Sequence, residues 1–180
     1  MNTVNSVLRI LSDGRFHSGS ALGEALDISR AAVWKAIQKL QQEWQIKVNG
    51  IPGRGYQLAV PLVMLEKDSI LSAVESRFQS RLQKLQILWS VDSTNRYIMN
   101  QASSDAICGL AVLAEHQSAG RGRRGRHWVS PFGRNLYLSL LWELELEASQ
   151  LSGLSLAIAV AISRAVIQLD IKDVMHKWPN

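Results

Sequence analysis

Cysteine is almost missing from this chain. Cys108 is the only one in 180 residues, which rules out an internal disulfide and fits a reducing cytoplasm. As a small apolar residue, Cys108 is expected to be buried and not catalytic. Histidine is equally thin: His17, His116, His127 and His176 are scattered, without the paired spacing that a zinc site needs, so no protein metal site is expected. Long hydrophobic runs are also lacking. The most apolar stretch, 154–162, is too short to cross a bilayer and is soon followed by Arg164, so no membrane partner is expected. No charged segment with an apolar one behind it opens the chain, so no signal peptide is expected. Repeats and low-complexity tracts are absent. With 47% hydrophobic and 19% charged residues, the composition is globular and argues against disorder. The length suits one large domain or two small ones.

The net charge is +5, and its placement matters more than its size. Residues 1–60 hold seven Lys/Arg against four Asp/Glu, and residues 61–180 hold thirteen against eleven. Four of those thirteen are Arg121, Arg123, Arg124 and Arg126. The chain therefore has a mildly basic front and one dense cationic loop, which points to two anionic partners.

The front reads as three short helices and a hairpin. Val4, Val7, Leu8 and Leu11 share one helical face, and Asp13–Gly14 stops that helix. Ser18 is placed to cap a second helix carrying Ala21, Leu22, Ala25 and Leu26. Ser29 caps a third, from Arg30 to about Trp44, whose apolar stripe is Val33, Ile37, Leu40 and Trp44. Lys35, Gln38, Lys39 and Gln42 then point away from the core. Ile46–Val48 and Tyr56–Leu58, around the glycine-rich 49–55, predict a β-hairpin. Helix, helix, helix, hairpin is the order of a winged helix-turn-helix. Arg30, Lys35, Lys39 and Arg54 suit phosphates and Gln38 suits base edges, so DNA binding is expected, with a protein-interaction module as the alternative. Trp34, at the flank of the stripe, is expected to pack on the hairpin. Domains are expected at 1–61 and 66–180, with Pro61 stiffening the short connection.

Farther on, Asp68 is expected to cap a helix with Ile70, Leu71, Val74 and Phe78. Leu85–Trp89 predicts a strand, Asp92–Asn95 a helix start, and Leu110–Ala114 and Asn135–Trp142 two more strands. The 149–169 segment predicts a long helix, apolar almost all round and so packed on both sides. Asp173–Trp178 predicts the beginning of another strand. This mixture suggests an α/β or α+β sheet domain. Between two of the strands lies Gly120-Arg121-Gly122-Arg123-Arg124-Gly125-Arg126. Glycines let a backbone approach a ligand, and arginines offer planar forks to phosphate oxygens. On composition alone the loop suits RNA about as well as a nucleotide; its place between buried strands favours a pocket.

The run 115–128, with Asp92-Ser93-Thr94-Asn95 before it and Lys177-Trp178-Pro179-Asn180 after it, resembles the biotin–protein ligases. The winged helix in front resembles the bifunctional members that repress biotin-synthesis genes, and the resemblance covers the chain from about Val4 to its end. It implies an α+β fold: a winged helix-turn-helix followed by a mixed-sheet biotin/lipoate-ligase-like catalytic domain. It implies that Ser93, Thr94 and Asn95 line a biotin site, and that Gln117, Gly120 and Arg121-Gly122-Arg123 contact biotin or its adenylate. Arg121 and Arg123 would act as the catalytic charge stabilisers, Trp128 would stack near the adenine, and Lys177 and Asn180 would approach the nucleotide phosphates. The implied reaction joins biotin and ATP into biotinyl-5'-AMP with Mg²⁺ assistance, then moves biotin to a lysine of a biotin carboxyl carrier protein. The adenylate would also promote a homodimer that binds operator DNA. The family continues past Lys-Trp-Pro-Asn with an Asp, a catalytic-site lysine, further sheet and a small β-barrel. The catalytic domain is therefore expected to be truncated at its C-terminal side, the chain alone not to ligate biotin, and the 149–169 helix to leave apolar surface uncovered.

Overall fold

A computed structural model describes residues 2–175 except 106–107, 127, 146, 148–150, 152 and 172, with the backbone alone at 103–105 and 123. By compactness it falls into two units, one ending at Trp142 and the other starting at Glu143.

The first unit opens with helices α1 (Thr3–Leu11), α2 (Gly19–Leu26) and α3 (Arg30–Gln42). Each begins where a short polar side chain satisfies an otherwise unpaired N–H. Asn2 Oδ1 accepts from Val4 N, Ser18 Oγ from Ala21 N and Ser29 Oγ from Ala32 N. The α1 stripe is buried as its spacing requires, against Leu22, Val33, Ile37 and Leu40. On α2 the inner face is Gly19, Leu22 and Gly23, with Ala21 and Ala25 exposed, so this helix packs closely through glycines rather than through its alanines. Asp27, in the left-handed conformation, ends α2.

The hairpin follows as β1 (Val48–Ile51) and β2 (Gly55–Leu58), antiparallel, with Ile51 opposite Gly55. Its first strand starts later than the alternating Ile46–Val48 run suggests, because Gln45 turns left-handed and Ile46 N still bonds back to Leu40 O. His17 pairs with Tyr56 in both directions, which ties the hairpin to the chain ahead of α2. Gly55 is obligatory there: its φ is +100°, and a Cβ would sit 2.1 Å from His17 O.

The connection runs back over the module. Leu62 enters the winged-helix core and its N–H donates to Ser12 O. Then come α4 (Lys67–Ala73) and α5 (Ser76–Gln79). Glu66 rather than Asp68 occupies the cap position of α4, without a side-chain bond, and Asp68 lies in the first turn. Extended backbone at Val74 splits what looks like one helix into two.

A mixed three-stranded sheet follows: β3 (Lys84–Leu88), β4 (Leu110–Ala114) and β5 (Tyr137–Leu141), in the order β3-β4-β5. β3 and β4 are parallel and joined through α6 (Thr94–Asp105), as a parallel pair requires a crossover; β4 and β5 are antiparallel. β4 is buried along its whole length because both faces are covered. Val112 and Leu110 pack with Ile98 of α6, and Ala111 and Leu113 with Ile70 and Leu71 of α4. The expected α+β class and mixed sheet are what the structure has. Cys108 is exposed on the turn before β4, not buried.

In the second unit, α7 spans Leu154–Gln168 and has no side-chain cap. Leu156, Ile158, Val160 and Ile162 are exposed and Ser163 is its buried residue, so the two-sided packing expected from its apolar sequence is not found. Residues 173–175 form no strand, and 176–178 lie outside the described residues. Among the described residues no helix is long and apolar enough to cross a membrane.

Candidate functional site

The Ser93-Thr94-Asn95 turn and the loop after β4 are held together by backbone pairing. Val91 bridges Gln117, Ser118 N donates to Val91 O, and Ala119 N donates to Asp92 O. At the helix start, Asp92 Oδ1 accepts from Ser93 N, and Ser93 Oγ accepts from Arg96 N. Asp92 also pairs with Arg96 at 2.6 Å. Asp92 and Ser93 therefore organise the turn, and Thr94 points inward.

Thr94 is 4% exposed and Gln117 9%. Gln117 Oε1 accepts from Thr94 N at 2.8 Å and from Thr94 Oγ1 at 3.1 Å. A backbone N–H cannot accept, so the atom facing it must be the amide oxygen, and the amide orientation is fixed. Ser139 Oγ donates to Thr94 Oγ1 at 2.9 Å from β5. Gly120 closes the cluster from the other side: a Cβ there would lie 2.4 Å from Trp128 Cδ1 and 3.1 Å from Gln117 Nε2. Only a bare Cα lets the loop, the indole and the amide meet. Trp128 itself is 48% exposed.

Thr94, Gln117, Gly120 and Trp128 are thus brought together, with Ser93 beside them. Asn95 and Arg121 are exposed. Beyond Gly120 the loop makes a turn at Arg123–Gly125 with Arg124 left-handed (φ 59°), and Gly122 N donates to Arg126 O. The Arg123 side chain, Lys177, Trp178, Pro179 and Asn180 lie outside the described residues. Gln117 and Trp128 open onto a cleft of about 500 Å³, also lined by Trp44, Lys47, His116 and Arg134. That volume is in the range of small-molecule sites. Ser93, Thr94 and the Gly-Arg stretch do not line it.

Two further features were not visible in the sequence. Glu115 is only 3% exposed, and its Oε1 accepts from Leu65 N at 2.6 Å. Burial pushes its carboxyl above the ordinary range; the Leu65 N–H opposes that, Glu66 adds to it and Arg9 opposes it. His116, bonded through Nδ1 to Ser90 Oγ, is pushed down by burial and so favours the neutral ring. Nearby, Phe132 stacks on Trp44 at 4.8 Å with 10° between planes, and Trp89 tilts against both. Trp44 therefore ends its stripe on the sheet region rather than within the helical module. Ser139 did leave a signal: it is the one small polar residue at an inward position of the alternating Tyr137–Leu141.

On the winged helix, Arg30 faces a groove of about 370 Å³ shared with Ser18–Ser20 and the hairpin. Lys35 is exposed; Lys39 pairs with Glu43 at 3.5 Å, and Gln38 Oε1 accepts from Gln42. Arg54 folds back over the Phe16 ring at 4.2 Å. Trp34, expected to pack on the hairpin, is 53% exposed.

The model of the Biotin/lipoate A/B protein ligase family matches residues 72–180, and an HTH domain model matches residues 3–57. The chain belongs to the biotin/lipoate A/B protein ligase family. It is 43% identical over 175 residues to the bifunctional ligase/repressor BirA of Salmonella typhimurium, covering 97% of this chain and 52% of that protein. It is 42% identical over 180 residues to BirA of Escherichia coli, covering 99% and 54%. With BirA of Bacillus subtilis the identity is 32% over 174 residues, covering 92% and 50%. The chain spans about half the length of the curated relatives it matches.

Proposed function

We propose that this chain carries the DNA-binding module, residues 1–61, and the biotinyl-adenylate site, within residues 66–180, of a bifunctional biotin–protein ligase and repressor acting in the cytoplasm. The observation that carries the reading is the Thr94–Gln117–Gly120–Trp128 cluster at the root of the Gly-Arg loop. In the first step a carboxylate oxygen of biotin attacks the α-phosphorus of ATP, and pyrophosphate leaves. In the second, a lysine amine of a biotin carboxyl carrier protein attacks the carbonyl carbon of biotinyl-5'-AMP, and AMP leaves. Neither step needs a protein nucleophile. Positioning and charge stabilisation suffice.

In this reading Ser93, Thr94, Asn95 and Gln117 hold biotin, while the loop with Gly120, Arg121, Gly122 and Arg123 folds over the adenylate and neutralises its phosphate. Trp128 presents an open indole face to the adenine, and Lys177 and Asn180 reach the phosphates. No group of three or more His, Cys, Asp or Glu side chains converges among the described residues. They do not form a Mg²⁺ cage; that ion usually arrives bound mainly to nucleotide phosphates and water. The liganded chain would dimerise and place Arg30, Lys35, Gln38, Lys39 and Arg54 against operator DNA. The two relatives' names, ligase and repressor, support both halves of the reading.

Calorimetry on the 180-residue chain tests it. Saturable binding of biotinyl-5'-AMP, tighter than that of biotin, is expected; binding of neither overturns the ligase half. For the DNA half, affinity for a biotin-operator duplex should fall steeply with salt, and Lys35→Ala should lower the salt slope by about one. Affinity that ignores salt would move the module to protein contacts.

A further inference from the structure

We propose that Ser139 is a positioning residue for the ligand site: through Thr94 it fixes the Gln117 side chain so that its N–H groups, not its carbonyl, face the ligand. This rests on the adenylate-site reading above. Ser139 is carried on β5, opposite Val112, on the face of the sheet that packs against α6. The direction of each hydrogen bond follows from the atoms. Gln117 Oε1 can only accept, so Thr94 Oγ1 spends its one hydrogen on it. Thr94 Oγ1 must then accept from its other neighbour, and that neighbour is Ser139 Oγ at 2.9 Å. The Thr94 N–H adds a second donor to the same oxygen at 2.8 Å.

Both lone pairs of the Gln117 carbonyl are therefore occupied, and its Nε2 lies on the opposite side, toward Gly120 and Trp128. What the loop covers meets two amide hydrogens at that point. A carbonyl oxygen such as that of a ureido ring satisfies them; a group that can only donate leaves them unpaired at a desolvated position, which costs affinity. Removing the Ser139 hydroxyl frees Thr94 Oγ1 to rotate away, which leaves the Thr94 N–H as the one donor holding the amide oxygen and loosens the side chain. Ser139 touches Thr94, not the ligand, and acts through it.

The test compares Ser139→Ala with Ser139→Thr in the 180-residue chain, with two readouts. The first needs no ligand: nuclear magnetic resonance of the Gln117 side-chain NH₂ pair. It is expected to be rigid in the parent chain and in Ser139→Thr, and to show motional averaging in Ser139→Ala. The second is affinity for biotin against 2-iminobiotin, in which a charged donor replaces the ureido oxygen. Ser139→Ala should weaken biotin about tenfold, as for one lost polar alignment, weaken 2-iminobiotin much less, and so narrow the preference; Ser139→Thr should restore it. An unchanged Gln117 signal in Ser139→Ala overturns the proposal, as does an equal loss for both ligands. If the Gln117 pair loosens as expected but the parent chain binds neither compound, the positioning role stands and the biotin reading fails.

Discussion

In the winged helix, the buried positions are mostly those that helical spacing already picks out; in the sheet-and-loop region after Lys84, the residues that matter sit where the local pattern breaks. Val4, Val7, Leu8 and Leu11 recur on one face and are all buried. Serine caps stand one residue before α2 and α3 and make the expected bonds. Local propensity, capping and burial agree there. Around Gln117 they disagree: two polar side chains are buried on each other, a glycine is pressed against an indole, and Arg124 takes a left-handed conformation. Such conflicts persist where a ligand must be met.

The largest expected effect lies in the first region. Leu40 is fully buried in the helical core, so Leu40→Ala should lower unfolding free energy by about 2–5 kcal/mol in denaturant titration. A loss below about 1 kcal/mol would mean that the helical core is not the stable part of the molecule.

Glu115 comes next, because it ties the end of β4 to the connection at Leu65. Glu115→Ala leaves the Leu65 N–H without its acceptor and should cost about 1–3 kcal/mol. Glu115→Gln keeps an oxygen for that N–H and should cost less. It should also change the pH dependence. A carboxyl whose pKa is raised on folding favours the folded state fully at pH values below its unfolded pKa, and that contribution is lost as pH rises through the raised value. Stability should therefore decline over the window just above the ordinary glutamate range in the parent chain, and less so in Glu115→Gln. Identical pH profiles would contradict the burial assigned to this carboxyl.

The smallest effect on folding, and a large one on binding, is expected at Gly120. An added methyl meets Trp128 and Gln117. Gly120→Ala should weaken biotinyl-5'-AMP about tenfold, some 1.4 kcal/mol, while the melting temperature moves little, since the loop can shift outward. Undiminished affinity would place the ligand elsewhere.

How legible each region was follows from the same contrast. The three helices, two of their caps and the winged-helix order could be read because each depends on neighbours a few residues away. The hairpin register could not be read from alternation, since the Gln45 turn and the Ile46–Leu40 bond displace its first strand. Asp68 looked like a cap by type alone, and the backbone began the helix two residues earlier. At the site, the Gly-Arg loop and Ser93–Asn95 were recognisable as motifs. Their junction through Gln117 was not, because the two segments lie 23 residues apart and meet only when β3 and β4 pair. Glu115 and Trp44 escaped for the same reason: their partners, Leu65 and Phe132, are set by tertiary packing. α7 was read in two ways: its all-round apolar sequence argued for two-sided packing, which is not found, while the expected uncovered apolar surface is there in Leu156, Ile158, Val160 and Ile162.

The central claim is that the Gly120–Arg126 loop is built to close over a biotin adenylate, and trypsin reads this directly because its cleavage points are the arginines of the loop. In the free 180-residue chain, cleavage at Arg121–Arg126 should be fast compared with cleavage in the winged helix. Adding biotinyl-5'-AMP should slow the loop cuts at least about tenfold, leaving the others unchanged, and single-stranded RNA should not. Loop cleavage that is indifferent to the adenylate, or that is slowed by RNA instead, would contradict the account.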